Sequence, residues 1–129
     1  MDWANLFAEW MVHNAVEKTG GCWWAYRHKQ DRLLFAPQLA LVAWIQYRRR
    51  SGLPYPTLVE IRRVVATKPY WTRKKTYGIE GQTISVASLD VAKCHEAGLD
   101  VPNTLHGVFK ANYVYRKEKK GWMRIELSF

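Results

Sequence analysis

Cysteine is scarce in this chain. Cys22 and Cys94 are the only two, far apart in sequence, and two cysteines build no disulfide framework. Stability must therefore come from a hydrophobic core, and 129 residues are enough to bury one. Long apolar runs are also missing. The longest, Leu39 to Ile45, falls far short of the ~20 residues that span a bilayer. Met1 leads directly into an amphipathic pattern that contains acidic residues, so no signal peptide is expected and a cytoplasmic location is. There is no P-loop, no GxGxxG, no HExxH and no GxSxG.

Negative charge is in short supply. Asp and Glu number 11 against 20 Lys and Arg, a formal charge of +9. Such an excess repels itself and tends to be kept where a polyanion is the partner. Nucleic acid is the leading polyanion, an acidic protein surface the second and an anionic membrane the third. The expected partner is nucleic acid and not a membrane.

Catalytic groups are sparse as well. None of His13, His28, His95 and His106 pairs with another His or Cys at zinc-site spacing, so no metal or other cofactor is expected. Cys94 and His95 are neighbours, which points their side chains apart on a helix, and Cys94 reads as a small buried thiol. Glu118-x-Lys120 looks like a nuclease ExK fragment, but no acidic partner stands on a preceding strand, and a solvated turn is the simpler reading. One metal-free route is a small ribonuclease with His28 or His106 as general base. The main expectation is a protein that is not an enzyme.

Aromatics are abundant: 14% of the chain, with 7 Trp and 7 Tyr, more than a small core needs. Four times an aromatic cluster runs into a basic one. Trp23, Trp24 and Tyr26 precede Arg27, His28 and Lys29. Trp44 and Tyr47 precede Arg48, Arg49 and Arg50. Tyr70 and Trp71 precede Arg73, Lys74 and Lys75. Tyr113 and Tyr115 precede Arg116, Lys117, Lys119 and Lys120, with Trp122 beyond the turn. Rings stack on bases, and cations neutralise phosphates and release counterions. Arg73, Lys74, Lys75, Lys117, Lys119 and Lys120 are the foremost phosphate candidates, and Tyr70, Trp71 and Trp122 the foremost stacking candidates. Each cluster also has a structural reading: rings in the core, arginines complementing a helix dipole, lysines guarding a hairpin tip.

Hydropathy periods predict an α+β fold of about four helices with antiparallel hairpins in a single domain, residues 1–129. Asp2 caps a helix with Trp3, Leu6, Phe7, Trp10 and Met11 on one stripe, ending at Gly20 and Gly21. Cys22 to Phe35 reads as a hairpin with a basic tip. Pro37 opens a helix, Gln38 to Arg50, expected to be the most buried, and Ser51 and Gly52 end it. Thr57 and Glu60 form a capping box for a helix to about Ala66, with a strand as alternative. Tyr70 to Tyr77 and Gln82 to Val86 are strands about a turn at Gly78 to Gly81. Ser88 caps Leu89 to Ala97, which Gly98 and Leu99 close. Val108 to Arg116 and Trp122 to Phe129 alternate as a C-terminal hairpin with its tip at Lys117 to Gly121.

A basic hairpin after a short helix resembles the wing of a winged-helix domain, but that helix offers only Lys93, His95 and Glu96 as a reading surface. The favoured function is binding of DNA or RNA without catalysis, with a slight preference for single strands. The alternative is an inhibitor or a subunit of a nucleoprotein complex, docking a protein through Trp3, Phe7 and Trp10 of the first helix.

Overall fold

The structure, a computed structural model, describes residues 1–17, 31–79, 82–104, 113–118 and 121–126; residues 15–17, 34, 73–79, 82–86 and those after 112 are described by their backbone alone. In chain order it has α1 (Trp3–Glu17), β1 (Arg32–Phe35), α2 (Pro37–Arg50), α3 (Leu58–Val65), β2 (Trp71–Ile79), β3 (Gln82–Asp90), α4 (Val91–Glu96), β4 (Tyr113–Glu118) and β5 (Gly121–Glu126). The architecture is α+β. Its sheet has three antiparallel strands in the order β1-β3-β2, and β4 and β5 form a two-stranded antiparallel ribbon.

Local chemistry explains most helix ends. The Asn5 amide donates to Asp2 Oδ1 at 3.2 Å, which starts α1. Pro37 opens α2, where its missing N–H is no loss. Gly52, at φ +70°, closes α2: its amide donates to Arg49 O and the Leu53 amide to Arg48 O at 2.8 Å. These are the paired bonds of a Schellman motif. The capping box of α3 is complete. The Glu60 amide donates to Thr57 Oγ1 at 3.2 Å, and the Thr57 amide donates back to Glu60 Oε1 at 3.3 Å. With Ile61 and Val65 both buried at i, i+4, this segment is a helix and not the alternative strand.

Two expectations about helices are corrected. α2 is not buried nearly all round. It packs on α1 and α3, burying Ala40, Leu41 and Trp44, while Leu39, Val42, Ala43 and Ile45 stay half-buried. α1 is buried as deeply, through Ala4, Phe7, Ala8, Met11 and Val12. Ser88 does not cap α4. It lies in β3, opposite Leu34 of β1 and Thr72 of β2. Two ladders hold β3 extended through Asp90, whose Oδ1 accepts the Lys93 amide at 3.2 Å and starts α4 two residues later than expected. The Gly98 ending holds: the Gly98 amide meets His95 O, and the Leu99 amide meets Cys94 O. α4 therefore has six residues and follows directly on a strand, which gives a winged-helix arrangement no recognition helix.

Strand registers refine the hairpins. Ile79 pairs with Gln82, so β2 extends through Gly78 and Ile79; Glu80 and Gly81 of the expected turn lie outside the described residues. Of the expected Cys22–Phe35 hairpin, residues 22–30 lie outside the described residues, and Arg32–Phe35 is β1, which pairs with β3. In the ribbon, Lys117 pairs with Trp122 and Glu118 with Gly121; Lys119 and Lys120 lie outside the described residues. Tyr115 pairs with Arg124, whereas Val114 pairs with Ile125 and Arg116 with Met123. Directly paired positions share a face. The tyrosines and the Met123–Ile125 set thus occupy opposite faces of the ribbon.

The core gathers on Trp44, which is fully buried. Phe7 meets it edge-on at 5.7 Å and Trp3 at 6.2 Å. Phe35, Leu33, Leu89 and Ile61 complete the layer between sheet and helices. Each such side chain contributes about 1.5–3 kcal/mol on burial. Among the described residues, no helix is long and apolar enough to cross a membrane.

Candidate nucleic-acid interface

α2 and α3 pack side by side and run in opposite directions. The end of α3, at Arg62 and Val65, lies beside Gln38 and Leu41 at the start of α2. The start of α3, at Leu58, lies beside Val42 and Ile45 farther along. A seam therefore runs between the two helices from Pro37 to Gln46 of α2. At one end is a groove of about 530 Å³, with buried Leu41 and Val65 beneath, exposed Gln38 and Arg62 at the rim, and half-buried Trp71. At the other end Tyr55 stands 48% exposed, and Arg49 and Arg50 lie beyond the seam in the last turn of α2. The seam thus carries an aromatic ring at each end, with Arg62 at the first and Arg49 and Arg50 beyond the second.

Among the described residues, no carboxylate pairs with the cations here. Arg49, Arg50, Arg62 and Arg63 are all exposed. Among the described residues the ion pairs are Lys68–Asp2 and His13–Asp100, and neither involves an arginine. Glu60, the one acid of α3, sits in the capping box, its Oε1 taking the Thr57 hydroxyl at 2.9 Å; it keeps its negative charge but pairs with none of these arginines. Arg62 Nη2 donates to Gln38 Oε1 across the groove. A guanidinium on a neutral amide keeps its full charge.

The expected site residues divide. Arg48 is not available to a phosphate. It is only 9% exposed, its Nε donates to Pro54 O, and its guanidinium lies 5.7 Å from the Trp3 ring centre and 5.5 Å from that of Trp44. Arg49 and Arg50 point to solvent, as a 100° step per residue requires. Tyr70 is no stacking platform: it is 1% exposed, and its hydroxyl donates to Asn5 Oδ1 at 2.6 Å. Burial pushes its hydroxyl pKa upward. Trp71 remains a candidate, because it packs on Phe35 at 5.3 Å and Phe7 at 6.2 Å yet still lines the groove.

Arg73, Lys74 and Lys75 follow Trp71 along β2, an edge strand. There Thr72 pairs with Ser88 and Lys75 with Val86, three steps on β2 against two on β3. The extra residue is a β-bulge at Arg73 and Lys74, a device that bends a strand and re-aims its side chains. Arg116, Lys117 and Trp122 lie in the ribbon, where the backbone is described. Arg27, Lys29, Lys119 and Lys120 lie outside the described residues, as do His28 and His106.

The α1 stripe is spent mostly within the fold. Phe7 is fully buried. Trp3 covers Arg48, and Trp10 stacks on Tyr47 at 5.8 Å. These three rings do not form one open docking face. Sequence reasoning left out Arg62, Arg63, Gln38 and Tyr55. Arg62 and Arg63 were legible as outward positions of α3, but no aromatic precedes them in sequence.

Catalytic groups are few here. Cys94 is fully buried, and burial, helped by the charges of Asp90 and Glu9, pushes its thiol up to about 12. His13 Nε2 lies 2.7 Å from Asp100 O, and His95 Nδ1 3.0 Å from Val101 O, so both tie α1 and α4 to the following loop. Among the described residues, no three His, Cys, Asp or Glu gather as a metal site. No family model matches the chain, and no curated protein or solved structure matches it either.

Proposed function

We propose that the protein binds nucleic acid without catalysing a reaction, along the α2–α3 seam and the Trp71 end of β2, with single strands preferred. The observation that carries this reading is the set of exposed arginines on α2 and α3, without carboxylate partners among the described residues, of which Arg62 lines a groove that also contains an accessible indole. Free guanidinium groups exchange condensed counterions for phosphates, and that release drives association. An indole at the groove accepts a base face, which suits an unpaired strand better than a closed duplex. The basic run on the bulge beyond Trp71 extends the positive track, and the ribbon tip at Lys117, Lys119 and Lys120 is a second contact in this reading. A cytoplasmic location belongs to the proposal.

The test is binding of labelled oligonucleotides over a salt series. Each cation that contacts a single strand adds ~0.7 to the slope of log affinity against log salt. Replacing Arg49, Arg50 and Arg63 together by Gln should flatten the slope by ~2. An unchanged slope would remove the seam from the interface. Neutralising Lys117, Lys119 and Lys120 tests the ribbon tip separately.

A further inference from the structure

The polar rim of the Trp71 groove has a one-sided hydrogen-bond character. Arg62 is a donor without acceptor capacity. Because its Nη2 reaches Gln38, the amide must turn its oxygen to the guanidinium, and Oε1 is the atom engaged. The Gln38 amide nitrogen, with two N–H groups, is left free to face other partners. The remaining Arg62 N–H groups are donors as well. Among the described residues, the exposed polar side chains of the groove are Gln38 and Arg62; both offer donors, and Gln38 Oε1, which accepts from Arg62, keeps only one lone pair open.

The groove itself suits a flat ring. It has an indole on one side, buried aliphatic Leu41 and Val65 beneath, and a volume of about 530 Å³, inside the ~300–1,000 Å³ range of small-ligand sites. Among bases, a rim of donors selects an edge made of acceptors. On its Hoogsteen edge guanine presents N7 and O6 side by side, whereas adenine replaces O6 by the N6 amino group. An amino group facing Arg62 and the Gln38 nitrogen would meet donors only.

We propose that this groove is a subsite for one unpaired guanine of a bound strand, stacked against Trp71 and read at N7 and O6 by Arg62 and Gln38. It rests on the nucleic-acid reading above and adds a base preference to it. The arrangement also defines how the preference can be reversed. Gln38→Glu replaces the free donor by an acceptor and holds Arg62 in a charged pair. The rim then meets the amino group of adenine better than it meets guanine.

The experiment uses fluorescence anisotropy with labelled U12 and dT12 oligonucleotides, each carrying one central G or A. The wild-type protein should bind the G-containing strands about tenfold more tightly than those with A, in line with the ~1–3 kcal/mol typical of a good two-point base contact. In the Gln38→Glu variant that ratio should fall to one or invert. Equal affinity for G and A in the wild type would overturn the guanine subsite while leaving nucleic-acid binding in place. A guanine preference that survives Gln38→Glu unchanged would also overturn it, because the base would be read elsewhere. Failure of both strands to bind at low salt would overturn the nucleic-acid reading and the subsite together.

Discussion

Arg48, Arg49 and Arg50 are consecutive and chemically identical, yet the structure gives the first a different task from the other two. Consider Arg48→Met, which keeps the unbranched stem and removes the guanidinium. It loses a charge-assisted hydrogen bond to Pro54 O and two ring contacts, with Trp3 and Trp44. A hydrogen bond from a charged group contributes about 1.5–3 kcal/mol, and each cation–π contact roughly 0.5–1 kcal/mol. Pro54 is exposed, so water can satisfy its carbonyl in the variant and the lower figures apply. The expected loss is about 2.5 kcal/mol, or a melting temperature lower by about 10 °C for a chain of this size. Arg49→Met removes an exposed cation from the last turn of α2 and should cost only ~0.3–1 kcal/mol through the helix dipole. Urea unfolding followed by Trp fluorescence measures both. The pattern should invert in binding: Arg49→Met weakens association with a single-stranded oligonucleotide, while refolded Arg48→Met keeps the wild-type salt slope. Equal stability of the two variants would refute the internal assignment of Arg48.

Thr57→Ala removes the hydroxyl half of the α3 capping box, leaving the backbone amide to donate to Glu60, and should cost ~1 kcal/mol in urea unfolding, with no change in the salt slope of binding. In a Cys22→Ser background, Cys94 should resist alkylation at pH 8 until the protein unfolds, since the thiol is buried and its pKa raised to about 12; rapid labelling of the native state would contradict its burial. Burial raises the Asp2 carboxyl, but the Lys68 and backbone hydrogen bonds outweigh it, so its pKa is lowered on folding. The stabilisation from this pair is present above the unfolded carboxylate pKa and is lost as pH falls through the lower folded value. Asp2→Asn should therefore weaken the protein at neutral pH, with the difference shrinking below about pH 4.

Signals confined to a few neighbouring residues were legible in the sequence. Thr57-x-x-Glu60, Gly98-Leu99, Pro37 and Gly52 each act through bonds within one turn, and each stands where the local chemistry puts it. Ser88 was misleading because its local capping tendency competes with two strand ladders, and the ladders win. Arg48 carried a usable signal: it stands four residues after Trp44, on the same face of α2, so a buried Trp takes Arg48 inward with it. Tyr70 followed the aromatic-basic pattern, but its place before an edge strand turned it onto Asn5 of α1, sixty-five residues away. The α2–α3 seam could not be read from sequence. Its walls come from two helices and a strand, and only their packing brings Gln38, Arg62 and Trp71 together.

In the proposed interface, exposed cations on α2 and α3 hold a single-stranded nucleic acid. Anisotropy of labelled single-stranded RNA, single-stranded DNA and duplex DNA, each at two salt concentrations, is the test. A single-stranded form should bind more tightly than the duplex, weakened steeply by salt and much less steeply after Arg49, Arg50 and Arg63 are replaced by Gln. No binding of any of the three at low salt would contradict it.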